Sequence, residues 1–235
     1  SLKAVRDCVI GSEAISKAGY IYLPHPSQVD ATSTEQQTRY TCYKNGAEFE
    51  SFVDDTRREL LGKMRLSDTT VELPEQLSYL VNNIDGDGVS LEAGIEFAVN
   101  NVLQTKFHAL VVDYKGAPRQ GETMTQQERL EMNPRAVINQ YTRENLVNWN
   151  FNRVNGVMQL AFAQFMEVIQ EFDNNSGEST PVQHYLVLAL DEEGNYYQAK
   201  FKEGESLLTA ERDYPLINGQ RIKRLPVVFV SDEEL

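Results

Sequence analysis

The stretch "WNFNRVNGVMQL" (Trp149 to Leu160) decides the fold, because the hydrophobic period of the chain changes there. Asn155-Gly156 stands between Asn150-Phe151-Asn152-Arg153-Val154 and Val157-Met158-Gln159-Leu160. An Asn-Gly pair between two such runs is the signature of a tight hairpin, since both turn positions need positive φ. Downstream, Gln183 to Leu190, Asn195 to Phe201 and Leu225 to Val230 alternate or run β-branched, with Gly194-Asn195 and Asn218-Gly219 as further turns. Asp173 to Thr180 is a polar loop between two strands or between a helix and a strand. The last third is therefore expected to be antiparallel sheet.

Upstream of Trp149 the period is helical. In Ala47 to Leu61 the apolar side chains Phe49, Phe52, Val53 and Leu60 form one stripe, with Asp54, Asp55, Arg57, Arg58 and Glu59 as the wet side. Pro74 can open a short helix over Glu75 to Val81, with Leu77, Leu80 and Val81 inward. Ser90 is a good N-cap for a helix from about 91 to 104, carried by Leu91, Ile95, Ala98, Val99, Val102 and Leu103. Phe107 to Val112 is a continuous apolar run suited to a strand covered on both faces. Lys115 to Thr125 reads as a polar loop. Thr125 with Glu128 makes a capping box for a short helix ending near Asn133-Pro134, and Thr142 is predicted to open another over Arg143 to Asn148. The fold class is α+β: a mainly helical N-terminal half with a buried strand (1–148), then an antiparallel β meander (149–235), forming one compact unit.

Thirty-five Asp and Glu against 22 Lys and Arg give a formal net charge of -13, which repels phosphate backbones and anionic membrane surfaces. Cys8 and Cys42 have no spacing that suggests a metal knuckle or disulfide framework, so a reducing compartment fits best. No window nears the roughly 18 apolar residues of a membrane span, and no secretory signal is visible, so the Asn174-Asn175-Ser176 sequon is expected to be idle.

The densest polar motif is "NNIDGDGVSLEAGIEF" (Asn82 to Phe97). A calcium loop needs oxygens at positions 1, 3, 5, 7, 9 and 12, glycine at 6 and a bidentate glutamate at 12. With Gly88 at position 6, Asn83, Asp85 and Asp87 take 1, 3 and 5, but position 12 is Gly94 and position 8 is Ser90. A phosphate loop is excluded by the two aspartates and by the lack of a following Gly-Lys-Ser/Thr. The preferred account is a turn in which Gly86 and Gly88 take positive φ and Asp85 or Asp87 accepts backbone N–H groups before the next helix. A calcium-dependent binding module using the Asp85/Asp87 turn is the alternative.

Elsewhere no site emerges. His25, His108 and His184 lie far apart, and His108 reads as a hydrogen-bonded, partly buried side chain. Asp113 sits at a strand end, where α/β folds place functional carboxylates, yet no partner base or nucleophile accompanies it. A hydrolase built on Asp113 and a neighbouring carboxylate would rest on the abundance of acids alone. Gly62-Lys63 lacks the upstream glycine of a phosphate loop. Tyr20, Tyr22, Tyr40, Tyr43 and Trp149 lack interleaved basic residues, so core or subunit contacts suit them better than base stacking. No catalytic residue, cofactor-binding residue or metal ligand is assigned.

Several stretches, taken in order, resemble a phage and prophage-encoded family of unknown function related to the portal, or head-tail connector, proteins of tailed phages. They are "RDCVIGSEAISKAGYIYLP" (Arg6 to Pro24), "YTCYKNGAEF" (Tyr40 to Phe49), "LPEQLSYLVNNIDGDGVSL" (Leu73 to Leu91), "ALVVDY" (Ala109 to Tyr114), "NPRAVINQYTRENLVNW" (Asn133 to Trp149) and "RLPVVF" (Arg224 to Phe229). The likeness thins between Phe151 and Glu178. It implies a non-enzymatic structural protein without cofactors that forms a homo-oligomeric ring at the portal vertex of the virion, assembled in the bacterial cytoplasm. It further implies partners in terminase, capsid and tail connector proteins, with duplex DNA passing through and no sequence-specific binding. In that family the Asp-Gly-Asp-Gly turn is a fixed structural element ahead of a helix. Members run on past the point where this sequence stops, which implies that the chain is the N-terminal portion of a longer protein.

Overall fold

A computed structural model describes residues 2–26, 33–66, 70–116, 125–154, 156–174, 177–217 and 219–231. Helices dominate the N-terminal half and antiparallel sheets the C-terminal half, so the fold class is α+β. The chain forms two compact units, residues 1–72 with 99–106, and residues 73–98 with 107–235. Position 148/149, where the hydrophobic period changes, lies inside a strand of the second unit and separates nothing.

The first unit holds α1 (Leu2–Ile10), α2 (Ser12–Ala18), α3 (Thr34–Gly46), α4 (Phe52–Met64) and the second half of α5 (Leu91–Thr105). Gly11, at φ 86°, breaks α1 from α2. Its described apolar interior is small, formed by Ile15, Tyr40 and Leu61, and a polar network joins the helices. Buried Asp54 accepts from Arg57 Nη2 at 2.5 Å and pairs with Arg58 Nε at 2.7 Å, while Arg57 Nη1 donates to Asn100 at 2.7 Å. Arg6 likewise donates to Asn101 and Gln104 of α5, and the Tyr22 hydroxyl and Lys3 both donate to buried Asp7.

This arrangement corrects the reading of α4 in two ways. The helix begins at Phe52, with Ser51 accepting from the Asp54 N–H at 3.2 Å as its N-cap. Asp55, Arg58 and Glu59 are exposed as expected, but Phe52, Val53 and Leu60, expected inward, are 72%, 51% and 43% exposed, and Asp54, expected on the wet side, is 5% exposed. A carboxylate can be buried when two guanidinium groups and a capped helix end satisfy it, and here that set outcompetes the apolar stripe for the inward face.

The second unit contains β1 (Phe107–Lys115), α6 (Gln126–Met132), β2 (Arg135–Thr142), β3 (Leu146–Val154), β4 (Val157–Phe172), β5 (Ser179–Leu190) and β6 (Tyr196–Lys202). The short strands β7 (Arg212–Asp213), β8 (Leu216–Ile217) and β9 (Gln220–Arg221) follow, then β10 (Val227–Ser231). One sheet has the order β10-β1-β2, another β3-β4-β5-β6-β7, and β8 pairs with β9; every pairing is antiparallel. The core packs Phe107, Ala109, Val111 and Tyr141 of the first sheet against Ala163, Phe165, Leu186 and Leu188 of the second. Val187, Ala189, Tyr197 and Ala199 form a second cluster. Leu186 through Ala189 are thus buried consecutively because β5 is covered on both faces, as alternating side chains require.

The hairpin at Asn155-Gly156 joins β3 to β4 with Val154 opposite Val157 and Gly156 at φ 83°; Asn155 itself lies outside the described residues. Ser90 accepts from the Ala93 N–H at 3.2 Å ahead of α5, and Thr125 and Glu128 form their reciprocal capping box at 2.8 and 3.2 Å. Residues 117–124 of the polar loop, Asn175 and Ser176 of the sequon, and Asn218 of the last turn lie outside the described residues.

Four further expectations are corrected. Residues 143–148 are not a helix: Thr142 and Asn145 make a turn, with Asn145 Oδ1 accepting from the Thr142 N–H and hydroxyl, and β3 begins at Leu146. A strand, β2, fills residues 135–142, where none was predicted. Glu75–Val81 is a 3-10 helix with Leu77 and Val81 exposed, tied down instead by the Tyr79 hydroxyl donating to Ala136 O at 2.8 Å. The C-terminal strand leaves the meander and pairs with β1, Phe229 opposite Ala109.

Candidate functional site

The acid turn is built from its own amides. Asn83 Oδ1 accepts from the N–H groups of Gly86 and Gly88 at 2.7 and 3.2 Å, and Asp85 Oδ1 accepts from Asp87 and Val89 at 2.8 and 3.2 Å. Gly86 and Gly88 take φ of 91° and 103°, conformations that strain any residue with a Cβ. Ile84, 2% exposed, anchors the loop, and its carbonyl accepts from the Ile138 N–H of β2 at 2.6 Å. Burial works to raise the Asp85 pKa, but the donated N–H groups outweigh it and hold the carboxyl below the usual range.

A cation does reach this turn, and it belongs to the chain. Lys115 Nζ, at the end of β1, donates to Asp85 O at 2.6 Å and to Asp87 Oδ2 at 3.2 Å. Gly94, which falls where a calcium loop would need its bidentate glutamate, is a packing glycine. A Cβ there would overlap Ile84 Cδ1 and lie 2.7 Å from Gln140 Nε2. The sequence carries no local signal for Lys115, because 28 residues separate it from Asp87 and only the sheet brings them together.

The turn forms one wall of a cleft of about 850 Å³, also lined by Phe97, Asp113, Tyr141, Glu167 and Lys200. Buried Tyr141 donates to Glu167 Oε1 at 2.6 Å, and Lys200 Nζ lies 3.5 Å from Glu167 Oε2. Burial, then the Glu167 charge and hydrogen bond, push the Tyr141 hydroxyl far above its ordinary pKa. Asp113 Oδ1 accepts from the Tyr114 N–H at 2.8 Å and from Gln198 Nε2 at 3.3 Å. The described residues lining the cleft include no Ser, Thr, Cys or His, and its lysines pair with its acids. Among the described residues, no three His, Cys, Asp or Glu side chains are grouped to hold a metal ion.

The remaining singled-out residues are dispersed. His108 is fully buried, not partly, with Nε2 2.8 Å from Gln140 Oε1 and Phe97 edge-on at 5.5 Å. His184 faces Glu171 at 3.1 Å, and buried His25 packs near Tyr40. Tyr20 stacks on Tyr40 at 4.1 Å, with Tyr43 beside them. Arg143 lies over both Trp149 and Phe107, at 4.8 and 5.7 Å from the ring centroids. Cys8 and Cys42 are free thiols, and no helix among the described residues is long and apolar enough to cross a membrane. No protein-family model matches the chain, and no curated protein matches it.

Proposed function

We propose that the chain is a structural, non-enzymatic part of a portal-like ring protein of a phage or prophage. In this proposal copies surround passing duplex DNA at the portal vertex, and terminase, capsid and tail connector proteins dock on them. The supporting observation is the state of the Asp85 to Gly88 turn. It is tied by the backbone and by Lys115 immediately ahead of α5, as befits the fixed structural element of the family that the sequence resembles. The net charge of -13 suits a wall along which a duplex slides, because a basic wall would hold phosphates through counterion release. Negative-stain imaging of the complete gene product tests the proposal: rings with a central opening are expected, and a monodisperse monomer would overturn it.

A further inference from the structure

We infer that the outer edge of β4 from Val168 to Phe172 pairs antiparallel with the same edge of a second copy of this chain, about a two-fold axis at Gln170. β4 outruns its neighbour: β3 pairs with it only as far as Phe165, and Asn145 then takes the Met166 N–H at 2.8 Å and, through Nδ2, the Met166 carbonyl at 3.0 Å. β5 stays with β4 on to Phe172, while β6 joins β5 only from His184. Residues 167–172 and 179–183 are therefore a two-stranded ribbon, an element that is marginal in water without a further strand. Hydrogen-bonding direction alternates along a strand. The Met166 N–H points away from β5 and the Asp173 N–H toward it, to Glu178 O at 2.9 Å, so the N–H and C=O groups of Val168, Gln170 and Phe172 face outward. Pro181 lies opposite Gln170, where no N–H is needed toward β4, which fixes the same phase. Among the described residues no strand pairs with this edge beyond Phe165, and Val168 and Phe172 are 61% and 62% exposed.

A row of outward amides and carbonyls is completed by an extended strand. The ribbon's other edge is guarded: Pro181 offers no N–H there, and Gln183 O already accepts from the Glu203 N–H at 3.0 Å. The β4 edge has no such guard. It carries no Pro, Lys or Arg, and its acids Glu167 and Glu171 are held by Lys200 and Lys202 at 3.5 and 2.7 Å. The order Val168, Gln170, Phe172 is also complementary to itself. About an axis at Gln170, Val168 of each copy meets Phe172 of the other and Gln170 meets Gln170, each pair exchanging two N–H···O bonds. Val168 with Phe172 is a favourable aromatic and β-branched cross-strand pair, and that face of the strand bears no charge. On the opposite face Ile169 meets Glu171, and only at the ends does Glu167 approach Asp173.

So short an edge falls well below the roughly 800 Å² per partner of a stable interface, so the pairing is weak and concentration-dependent. The unit that holds the ribbon carries 24 Asp and Glu against 12 Lys and Arg, which opposes self-contact, so salt strengthens the pairing instead of weakening it. The contact goes beyond the proposed ring and stands or falls independently of it, because an isologous contact closes at two copies.

Sedimentation equilibrium of this chain from about 10 µM to about 1 mM, at low and at high salt, tests the inference, with a rise from one-copy toward two-copy mass expected in that range and a larger rise at high salt. Gln170→Pro deletes an outward N–H that the fold does not use, so it is expected to weaken pairing about tenfold or more with circular dichroism unchanged. Val168→Lys and Phe172→Glu should each weaken pairing about three- to tenfold, and the double variant, which sets the new charges opposite each other twice across the axis, should pair more tightly than either alone. A constant one-copy mass for the unaltered chain overturns the inference, and so does pairing indifferent to Gln170→Pro. If Gln170→Pro unfolds, the charge variants decide: a double variant no tighter than the single ones overturns the pairing about Gln170.

Discussion

Lys115 Nζ lies 2.6 Å from the backbone oxygen of Asp85 and 3.2 Å from Asp87 Oδ2, so the end of β1 supplies the positive charge that the acid turn holds. The Asn83 and Asp85 oxygens face the chain's own N–H groups, and position 12 of the would-be calcium loop is Gly94, whose side chain offers nothing. Titration calorimetry with calcium is therefore expected to give no heat above dilution, for the unaltered chain and for Asp87→Ala alike. Lys115→Met should cost only about 0.5 to 1 kcal/mol in urea unfolding, as befits an exposed pair, and should create no calcium site.

Gly94 and Gly62 are both helical glycines, but only Gly94 is in close contact. A methyl group at 94 would overlap Ile84 and crowd Gln140, while one at 62 would meet nothing within 4 Å. Gly62→Ala is expected to raise stability by up to about 1 kcal/mol through helix propensity. Gly94→Ala should lower it by about 1 to 3 kcal/mol despite the same propensity gain, because the strain of overpacking is larger. Thermal unfolding of the two variants side by side separates the terms.

What was legible in the sequence is local. The Ser90 cap and the Thr125 and Glu128 box are each made of residues a few positions apart and form as their chemistry requires, and the hairpin predicted at residues 155–156 sets Val154 opposite Val157. Thr142 misled because its hydroxyl, which in a helix cap would accept from a backbone N–H, instead donates to Asn145 Oδ1 and closes a turn. On α4, spacing gives two faces but not which is inward. The choice was made by Asp54, Arg57 and Asn100, and Asn100 lies 43 residues from Arg57. Pairing of β10 with β1 and the approach of Lys115 to the acid turn are equally non-local, and no short window of sequence records them.

His108 makes stability fall with acid. Burial lowers its pKa from the ordinary value near 6.5, opposed by the hydrogen bond to Gln140, so the folded protein keeps the ring neutral while the unfolded chain takes up a proton. Full stability is present above the unfolded value, is lost progressively as pH falls below it, and levels off once the depressed folded value is passed. The unfolding free energy from urea titrations between pH 7.5 and 5 is expected to fall by up to about 1.4 kcal/mol per pH unit in that window. His108→Gln should unfold more easily at pH 7.5 and show a shallower slope; an equal slope would place the titration elsewhere.

At the alkaline end the corresponding groups are Tyr141 and Tyr196. Burial raises both, reinforced at Tyr141 by the Glu167 charge 2.6 Å away and opposed at Tyr196 by the Gln198 hydrogen bond. The folded protein keeps these phenols protonated while the unfolded chain releases their protons near pH 10, so stability is complete below that pH and declines above it. Ultraviolet titration is expected to leave both tyrosines un-ionised until alkaline unfolding, where they appear together in one cooperative step. Tyr141→Phe removes one of them and strands Glu167 without its charge-assisted donor, which should cost about 1.5 to 3 kcal/mol at neutral pH. Because Phe retains the ring stacked on Phe165 at 4.3 Å, that loss isolates the hydroxyl from the packing.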